Sequence, residues 1–375
     1  MRILSVVGTR PQLVKAAALS PVLRARHDEI LVDTGQHYDD QMAGSFYREL
    51  GLPAPDHGLG VGRGSHAEQT AAMLTGLESI LAIHRPDAVL IYGDTNSTLA
   101  GALVAAKAGL PLAHVEAGLR SFDRRMPEEI NRVVADHLST WPFAPTPTAV
   151  DNLRAEGISR GVVLVGDLMQ DLAARIGREV VTADALAAAS RLLSATAPGL
   201  DLTPGGYLFA TVHRAENRLP AALRAWAALL DRIARPGRPV ILAIHPGTRL
   251  ALEHEGIQLS PAVRLVDPQG YRTSLTLQLH AAAVVTDSGG VQREAAWLGV
   301  PCLVLRGSTE WVEAVAGSGG RMMIVGLDAA LAERALVELA PPDRSAGQAG
   351  ERAAAFDLAP AGAAEAIVAT LDGAE

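Results

Sequence analysis

Three acidic positions stand within a short span of chain: Asp94 in GDTNST and Glu116 in HVEAGLRS, each after an apolar run, and Glu128 in PEEINR. Carboxylates gathered on one substrate can act as general acid and general base. Each also has an ordinary local reading. Asp94 can cap the following helix, where Asn96, Ser97 and Thr98 are equally good caps, and Glu116 can be a polar strand end. Glu128 and Glu129, just behind Pro127, suit a first helical turn. Glu128 and Arg132 have the i,i+4 spacing of a surface ion pair. A shared address at the lip of one sheet would turn these separate features into one site.

A second constellation is TDSGGVQREAAWLG, residues 286–299. A strand ends, Ser288-Gly289-Gly290 turns, and a helix follows whose first backbone N–H groups attract phosphate. Two glycines permit close approach, the Ser288 hydroxyl can donate, and Glu294 can accept from ribose hydroxyls. The plainer reading is a tight turn with a surface glutamate. GTRPQLVK opens a helix with Arg10 and Lys15, and a lysine there opposes the helix dipole, which sets it apart from ordinary solvated charge. TVHRAEN and IHPG place His213 and His245 after consecutive apolar runs. One such histidine is commonly structural, and two weaken that reading. No third ligand stands at metal spacing, so no metal is expected. GLGVGRG at 58–64 fits no register of G-x-G-x-x-G and follows no predicted strand, and no Walker loop occurs, so no nucleotide cofactor is expected either.

These residues need elements to hold them. RILSVV, EILVDT, DAVLIYG and PLAHVEAG alternate with Ala-rich helical stretches, and Gly109 can stop the helix after DTNST. YLFATVHR, PVILAIHPG, AAVVTDSGG and PCLVLRGSTE form a second such set after residue 200. This is the grammar of βαβ units and parallel sheets. LVGDLMQDLAARI reads as the passage between the halves, and APPDRSAGQAGER as a loop before a last helix. Arg10, Gln36, Asp94, Glu116, His213, His245, Ser288 and Arg306 all fall just after expected strands, where open parallel sheets bind ligands.

The 375 residues suffice for two domains with full cores. With 33 basic against 41 acidic residues the net charge is -8, which argues against general nucleic-acid binding. The single cysteine, Cys302, lies in apolar VPCLVL and reads as a buried thiol; no internal disulfide is possible, which suits the cytoplasm. The first residues hold too short an apolar run for a signal peptide, and no run is long enough to span a membrane.

Together GTRP, TGQH, GDTNSTLAGAL, HVEAGLRS, PEEINR, VHRAEN, DSGGVQ and the TE of GSTEW resemble, in their order, the non-hydrolysing UDP-N-acetylglucosamine 2-epimerase family. The resemblance covers nearly the whole chain. It implies a GT-B fold: two Rossmann-like parallel-sheet α/β domains with the active site in the cleft between them. Residues 1–167 would carry the catalytic acids, 168–352 would hold UDP, and 353–375 would form a helix crossing back to the first domain. It further implies elimination of UDP to a 2-acetamidoglucal and re-addition with C2 inverted. Asp94, Glu116 and Glu128 match the family's acidic site residues and His213 its site histidine, with no assignment of which acid serves which face. Arg10, Ser288, Gly289, Gly290 and Glu294 match its nucleotide contacts. Beside these, Lys15 is expected to join Arg10 in a diphosphate clamp, His245 to line the substrate site and Tyr271 to pack near uracil. A cytoplasmic homodimer without metal or cofactor follows from the same resemblance.

Some spellings depart from the commonest form. GGVQREA stands where many members read GGIQEE, and TEWVE where they read TERPE. These look closer to the branch that includes epimerases of UDP-2,3-diacetamido-2,3-dideoxy-glucuronate. Arg293, in place of the first glutamate, can meet a sugar carboxylate or face solvent. Gln36, His37 and Gln69 sit in the region where UDP-GlcNAc acts allosterically in some members, but Glu68 stands where a basic residue would favour a diphosphate. The rival readings are the uronate epimerase, a hydrolysing epimerase, a GT-B glycosyltransferase and a catalytically silent nucleotide-sugar sensor.

Overall fold

Apolar runs such as AVLIY and VILAI become strands buried on both faces, as parallel sheets require. The computed structural model describes residues 1–36, 47–214, 216–307, 315, 318–339 and 362–373. His37, Thr309 and Glu310 of the TE motif and the expected loop at 340–352 lie outside them. The chain divides into two units, Met1–Leu172 with Pro360–Glu375, and Ala173–Ala359.

The first unit is built on a seven-stranded sheet. Its strands are β1 (Arg2–Val7), β2 (Asp28–Asp33), β3 (His57–Gly58), β4 (Ala88–Tyr92), β5 (Leu112–Val115), β6 (Trp141–Ala144) and β7 (Val163–Leu164). Their order is β3-β2-β1-β4-β5-β6-β7, and every pairing is parallel. The order reverses between β1 and β4, the switch point at which doubly wound sheets bind ligands. Leu4 and Val6 of β1 and Val89 and Ile91 of β4 pack with Met73 and Leu77 of the helix His66–His84 and with Ala100 of the helix Asn96–Lys107.

The second unit repeats the plan with β8 (Leu208–Val212), β9 (Val240–Ile244), β10 (Val263–Val266), β11 (Ala283–Thr286), β12 (Cys302–Val304) and β13 (Met322–Ile324). Its order is β10-β9-β8-β11-β12-β13, all parallel, with the switch point between β8 and β11. Alternate residues divide its core. Leu208, Ala210 and Val212 pack with Trp226 of the helix Pro220–Ile233, while Tyr207 and Phe209 pack with Leu186 of the helix Ala183–Leu193.

The C-terminal helix Ala363–Asp372 packs on the helix Arg10–Arg24 of the first unit. The Asp171 carboxylate accepts from Gly362 N and Ala364 N at 2.9 Å each, satisfying donors at the helix start. Cys302 is fully buried, and burial pushes its thiol up to about 12, so it is no thiolate nucleophile.

Three local expectations are corrected. The N-cap of the helix Asn96–Lys107 is Thr95, whose hydroxyl accepts from Thr98 N, rather than Asn96, Ser97 or Thr98. Arg132 pairs with Asp94 and Glu129 rather than with Glu128, because the loop after β4 lies within its reach. The glycine-rich 58–64 stretch does follow a strand, the two-residue β3, but no helix begins until His66.

Candidate active site

In the first unit, the turn after β1 determines where the next helix starts. Gly8 allows close approach, since a Cβ there would lie 2.1 Å from Thr34 Oγ1. Thr9 then caps the helix Arg10–Arg24 in a capping box with Gln12. Gln12 Nε2 donates to the Tyr92 carbonyl at 2.7 Å, tying this helix to the end of β4. One turn on, Lys15 is buried beside the same strand end, and its Nζ pairs with a Glu116 carboxylate oxygen. Gly93 closes this arrangement: its φ is +63°, and a Cβ there would lie 3.3 Å from Lys15 Nζ and 3.4 Å from Glu116 Oε2.

Glu116 directly follows β5 with φ +73°, a left-handed conformation uncommon outside glycine. Asp94 follows β4, and its carboxylate pairs with Arg132. Asn131 Nδ2 donates to the Asp94 carbonyl at 2.9 Å. Burial pushes the Asp94 carboxyl above the ordinary aspartate value; Arg132 and Lys15 pull it back, while Glu116 and Glu128 push it further up. The three acids and Lys15 therefore form one electrostatic group. Glu128 lies exposed in the first turn of the helix Pro127–Leu138, behind Pro127. Its neighbour Glu129 is structural, accepting from Ser121 N at 2.8 Å and Phe122 N at 2.9 Å.

Gln36 and Gln69 meet at the start of the helix Asn96–Lys107. Gln36 Oε1 accepts from Ser97 N at 3.0 Å, and Gln69 Oε1 from Asn96 Nδ2 at 2.9 Å. Both side chains thus serve the architecture behind the Asp94 turn. Arg10 is exposed on the opening turn of its helix.

In the second unit, Ser288 caps the helix Gly289–Trp297, accepting from Val291 N. Gly289 and Gly290 supply the first helical amides, which have no intrahelical acceptors. Glu294 is buried on this helix, with its Oε2 accepting from Gln278 Nε2 at 2.6 Å. Burial raises its carboxyl, and Gln278 and Arg293 oppose the rise. The Arg293 guanidinium lies over the Trp297 ring, 5.4 Å from its centroid. Tyr271 opens the helix Tyr271–His280.

Asp287, the fully buried residue before Ser288, was not singled out from the sequence. Its carboxylate accepts from His213 N at 3.1 Å, Arg214 N at 3.0 Å and Asn217 Nδ2 at 2.8 Å. Its Oδ1 also lies 3.3 Å from His213 Nδ1. It therefore joins the turn after β8 to the turn after β11 across the switch point. Partial burial lowers His213 from the ordinary histidine value. Asp287 opposes this, while Arg214, His245 and Arg218 add to it. His245 itself caps the helix Pro246–His254, its Nδ1 accepting from Gly247 N at 3.1 Å. The unit thus offers a helix start, two histidines and two arginines, a set suited to a diphosphate.

The family model described as UDP-N-acetylglucosamine 2-epimerase matches residues 22–371. The chain belongs to this family. It is 44% identical over 319 residues to the UDP-N-acetylglucosamine 2-epimerase homolog of Methanococcus maripaludis, spanning 84% of this chain and 86% of that one. It is also 44% identical over 321 residues to the UDP-2,3-diacetamido-2,3-dideoxy-D-glucuronate 2-epimerase of Pseudomonas aeruginosa, again spanning 84% and 86%. The crystal structure of the Methanocaldococcus jannaschii UDP-GlcNAc 2-epimerase in complex with UDP-GlcNAc and UDP matches with a TM-score of 0.74. That match has 34% identity and covers 96% of this chain and 98% of that one.

As an epimerase-family chain it has the GT-B architecture of its structural relatives, two parallel-sheet α/β units. Most of the described site residues fall at strand ends or at the starts of the helices that follow, while Lys15 and Glu294 lie further along their helices. The structure gathers Lys15, Asp94, Glu116 and Glu128 in the first unit, and His213, His245, Ser288 and Glu294 stand on neighbouring elements of the second. Asp287 and Gln278 escaped the sequence reading, and Arg132 was expected only beside Glu128, because their roles are contacts with other elements rather than motif positions. No cluster of three metal-ligating side chains occurs among the described residues. No described helix is long and apolar enough to cross a membrane.

Proposed function

We propose that this chain inverts C2 of a UDP-linked N-acetylated sugar, converting UDP-GlcNAc to UDP-ManNAc. The observation that carries the reading is the joint electrostatic group of Asp94, Glu116, Glu128 and Lys15, set at the ends of β4 and β5 and the start of the next helix. The C2–H of the sugar lies next to no carbonyl, so its proton can leave only as a bond at C1 breaks. One carboxylate takes that proton while the C1–oxygen bond cleaves and UDP departs, leaving a 2-acetamidoglucal. UDP oxygen then re-forms the bond to C1 as a second group delivers a proton to the opposite face of C2. Atoms and charge balance over the cycle, with no cofactor consumed.

The second unit holds UDP in this reading. The Ser288-Gly289-Gly290 helix start receives a phosphate, and Glu294 accepts from ribose hydroxyls. Arg10, Lys15, His213 and His245 offset the charge that builds on departing UDP, and Tyr271 packs near uracil. The chain works in the cytoplasm as a homodimer, which light scattering on the purified protein tests directly.

A second substrate, UDP-2,3-diacetamido-2,3-dideoxy-glucuronate, is favoured by the Pseudomonas aeruginosa relative at 44% identity. Proton NMR in heavy water separates the readings. UDP-ManNAc with deuterium at C2 establishes turnover of UDP-GlcNAc. UDP-GlcNAc left unchanged and unlabelled, with the uronate turned over, selects the second substrate. Inertness toward both, or release of free sugar and UDP, rejects the reading.

A further inference from the structure

The mechanism leaves one buried ionic cluster unused. His114, on β5, is fully buried. Its Nε2 lies 2.7 Å from the Gly93 carbonyl oxygen and its Nδ1 lies 2.6 Å from Asp136 Oδ1. A carbonyl oxygen can only accept. The other Asp136 oxygen takes Gly118 N at 3.0 Å and Arg120 Nη1 at 2.7 Å, both of which only donate. Burial acts to raise Asp136, while the Arg120 guanidinium and the Gly118 amide on that oxygen favour its ionised form. Asp136 is therefore ionised, and each His114 nitrogen faces an acceptor. Both must carry a hydrogen. Arg120 also pairs with Glu156 at 2.7 Å, so two cations and two anions balance within the cluster.

We propose that His114, held as an imidazolium by Asp136, is a positioning residue that fixes the Gly93–Asp94 peptide and through it the Asp94 carboxyl. Three consecutive backbone groups are pinned there. Gly93 N donates to the Val115 carbonyl at 3.0 Å, the Gly93 carbonyl accepts from His114, and the Asp94 carbonyl accepts from Asn131. Gly93 has no side chain to oppose rotation and holds φ +63°, so the His114 bond sets the orientation of the peptide leading into Asp94. Glu116 lies two residues along from His114, so one strand end carries one acid and anchors the other. This function for His114 rests on the epimerase reading, whereas its protonation does not.

Protein labelled with nitrogen-15 in histidine tests the second point without substrate. Two N–H signals from one imidazole, lost in His114→Gln, are expected at neutral pH; a single protonated nitrogen would overturn the assignment. The Asp94 carboxyl, followed by carbon-13 NMR, tests positioning on the protein alone. Its titration is governed by burial, Arg132, Glu116, Lys15 and Glu128, and in His114→Gln it should move; an unmoved titration removes the positioning function. In turnover, His114→Gln should lose about 100-fold in kcat with KM changed little, since a displacement near 1 Å costs on that scale. UDP affinity, a property of the second unit in our reading, should stay at the wild-type value. A folded His114→Gln with full kcat is a structural histidine only. If His114→Gln fails to fold, His114→Asn takes its place: its shorter amide can still donate to Asp136 but does not reach the Gly93 carbonyl, so the same kcat loss is expected, while retained kcat sinks the proposal. Wild-type protein that turns over neither sugar rejects the epimerase reading, and the two NMR measurements still decide His114.

Discussion

Lys15 Nζ and the Glu116 carboxylate form a nearly buried ion pair across 101 residues of chain, with the Glu116 backbone in a left-handed conformation. Neither feature favours stability. A non-glycine residue held there costs about 1–3 kcal/mol, and a buried pair is often no more stable than apolar replacements of its size. Removing one partner is different, because it strands a buried charge at a cost of about 3–5 kcal/mol. Lys15→Met should therefore lose stability in that range as well as turnover. The double variant Lys15→Met/Glu116→Gly should regain most of the loss while remaining inactive. Urea unfolding of the three proteins checks this. A double variant as unstable as Lys15→Met would show that the pair is not where the cost lies.

Arg132 and Asp94 should set the acid side of the pH profile. The folded-state Asp94 carboxyl lies above its ordinary value because of burial, and Arg132 is the strongest influence pulling it down. The folded chain therefore binds this proton more tightly than the unfolded chain does. Stability contributed by the group is lost as pH rises from the ordinary aspartate value through the raised one, and the loss is constant above it. Arg132→Gln should widen that window upward. The acid limb of kcat should shift to higher pH, and stability at neutral pH should fall. A kcat profile with an unmoved acid limb would deny that Asp94 must ionise for turnover.

Much of this was legible in the chain. AVLIY and VILAI could be only buried strands, and Asp94, Glu116, His213 and Ser288 stand just after apolar runs, which marks them as strand-end residues. The strands at and next to the edges of the first sheet were not legible. β3 has two residues and β7 two, too few for any periodicity, and Pro142 inside β6 reads as a breaker. The site's supports were hidden for a different reason. Asp136 stands 22 residues from His114, Arg132 stands 38 from Asp94, and Asp287 stands 74 from His213. Those partnerships are created by the strand order, so local spacing holds no trace of them. The Glu128–Arg132 expectation failed by the same logic, because a helix-local pair lost to a partner on β4's turn.

Asp287 should govern His213. Partial burial lowers the His213 ring from its ordinary value, Asp287 opposes that, and Arg214, His245 and Arg218 reinforce it. A histidine depressed in the folded state gives stability that is present above the ordinary value and lost as pH falls through the depressed one. Asp287→Asn should depress the ring further and extend that window to lower pH. Where turnover needs the protonated ring to offset charge on departing UDP, the alkaline limb of kcat should move to lower pH. Histidine NMR titration reads the ring directly, and a His213 titration unchanged in Asp287→Asn would break the link.

Glu128 gives a simpler expectation. It is exposed and sits beyond Pro127, with little to hold up in the fold. Glu128→Gln should unfold at the wild-type urea midpoint, yet lose about 100- to 10,000-fold in kcat if it passes a proton at C2. Heavy-water exchange adds detail: a variant that washes no deuterium into substrate has lost proton removal, and one that washes it in without inversion has lost delivery to the opposite face. Full turnover would leave the acid–base work to Asp94 and Glu116.

Gln278 and Glu294 make the nucleotide side testable without any turnover. Glu294 is buried, and burial raises its carboxyl; the Gln278 amide, donating to Oε2 at 2.6 Å, is the largest influence holding it down. The bond also fixes which oxygen is occupied, leaving Oε1 to face a ribose hydroxyl in our reading. Gln278→Leu removes both effects at nearly constant side-chain size. The carboxyl then rises further, a protonated Glu294 is a poorer acceptor, and its orientation is lost. A hydrogen bond to a charged group is worth about 1.5–3 kcal/mol, so UDP should bind roughly 10- to 100-fold more weakly. The weakening should be greatest in the pH range where the variant's carboxyl is protonated and the wild-type one is still ionised. Calorimetry with UDP across that range reads both quantities. Binding of wild-type strength and flat pH dependence in Gln278→Leu would mean that Glu294 does not hold the ribose, and that its buried carboxylate serves the packing of the helix Gly289–Trp297 instead.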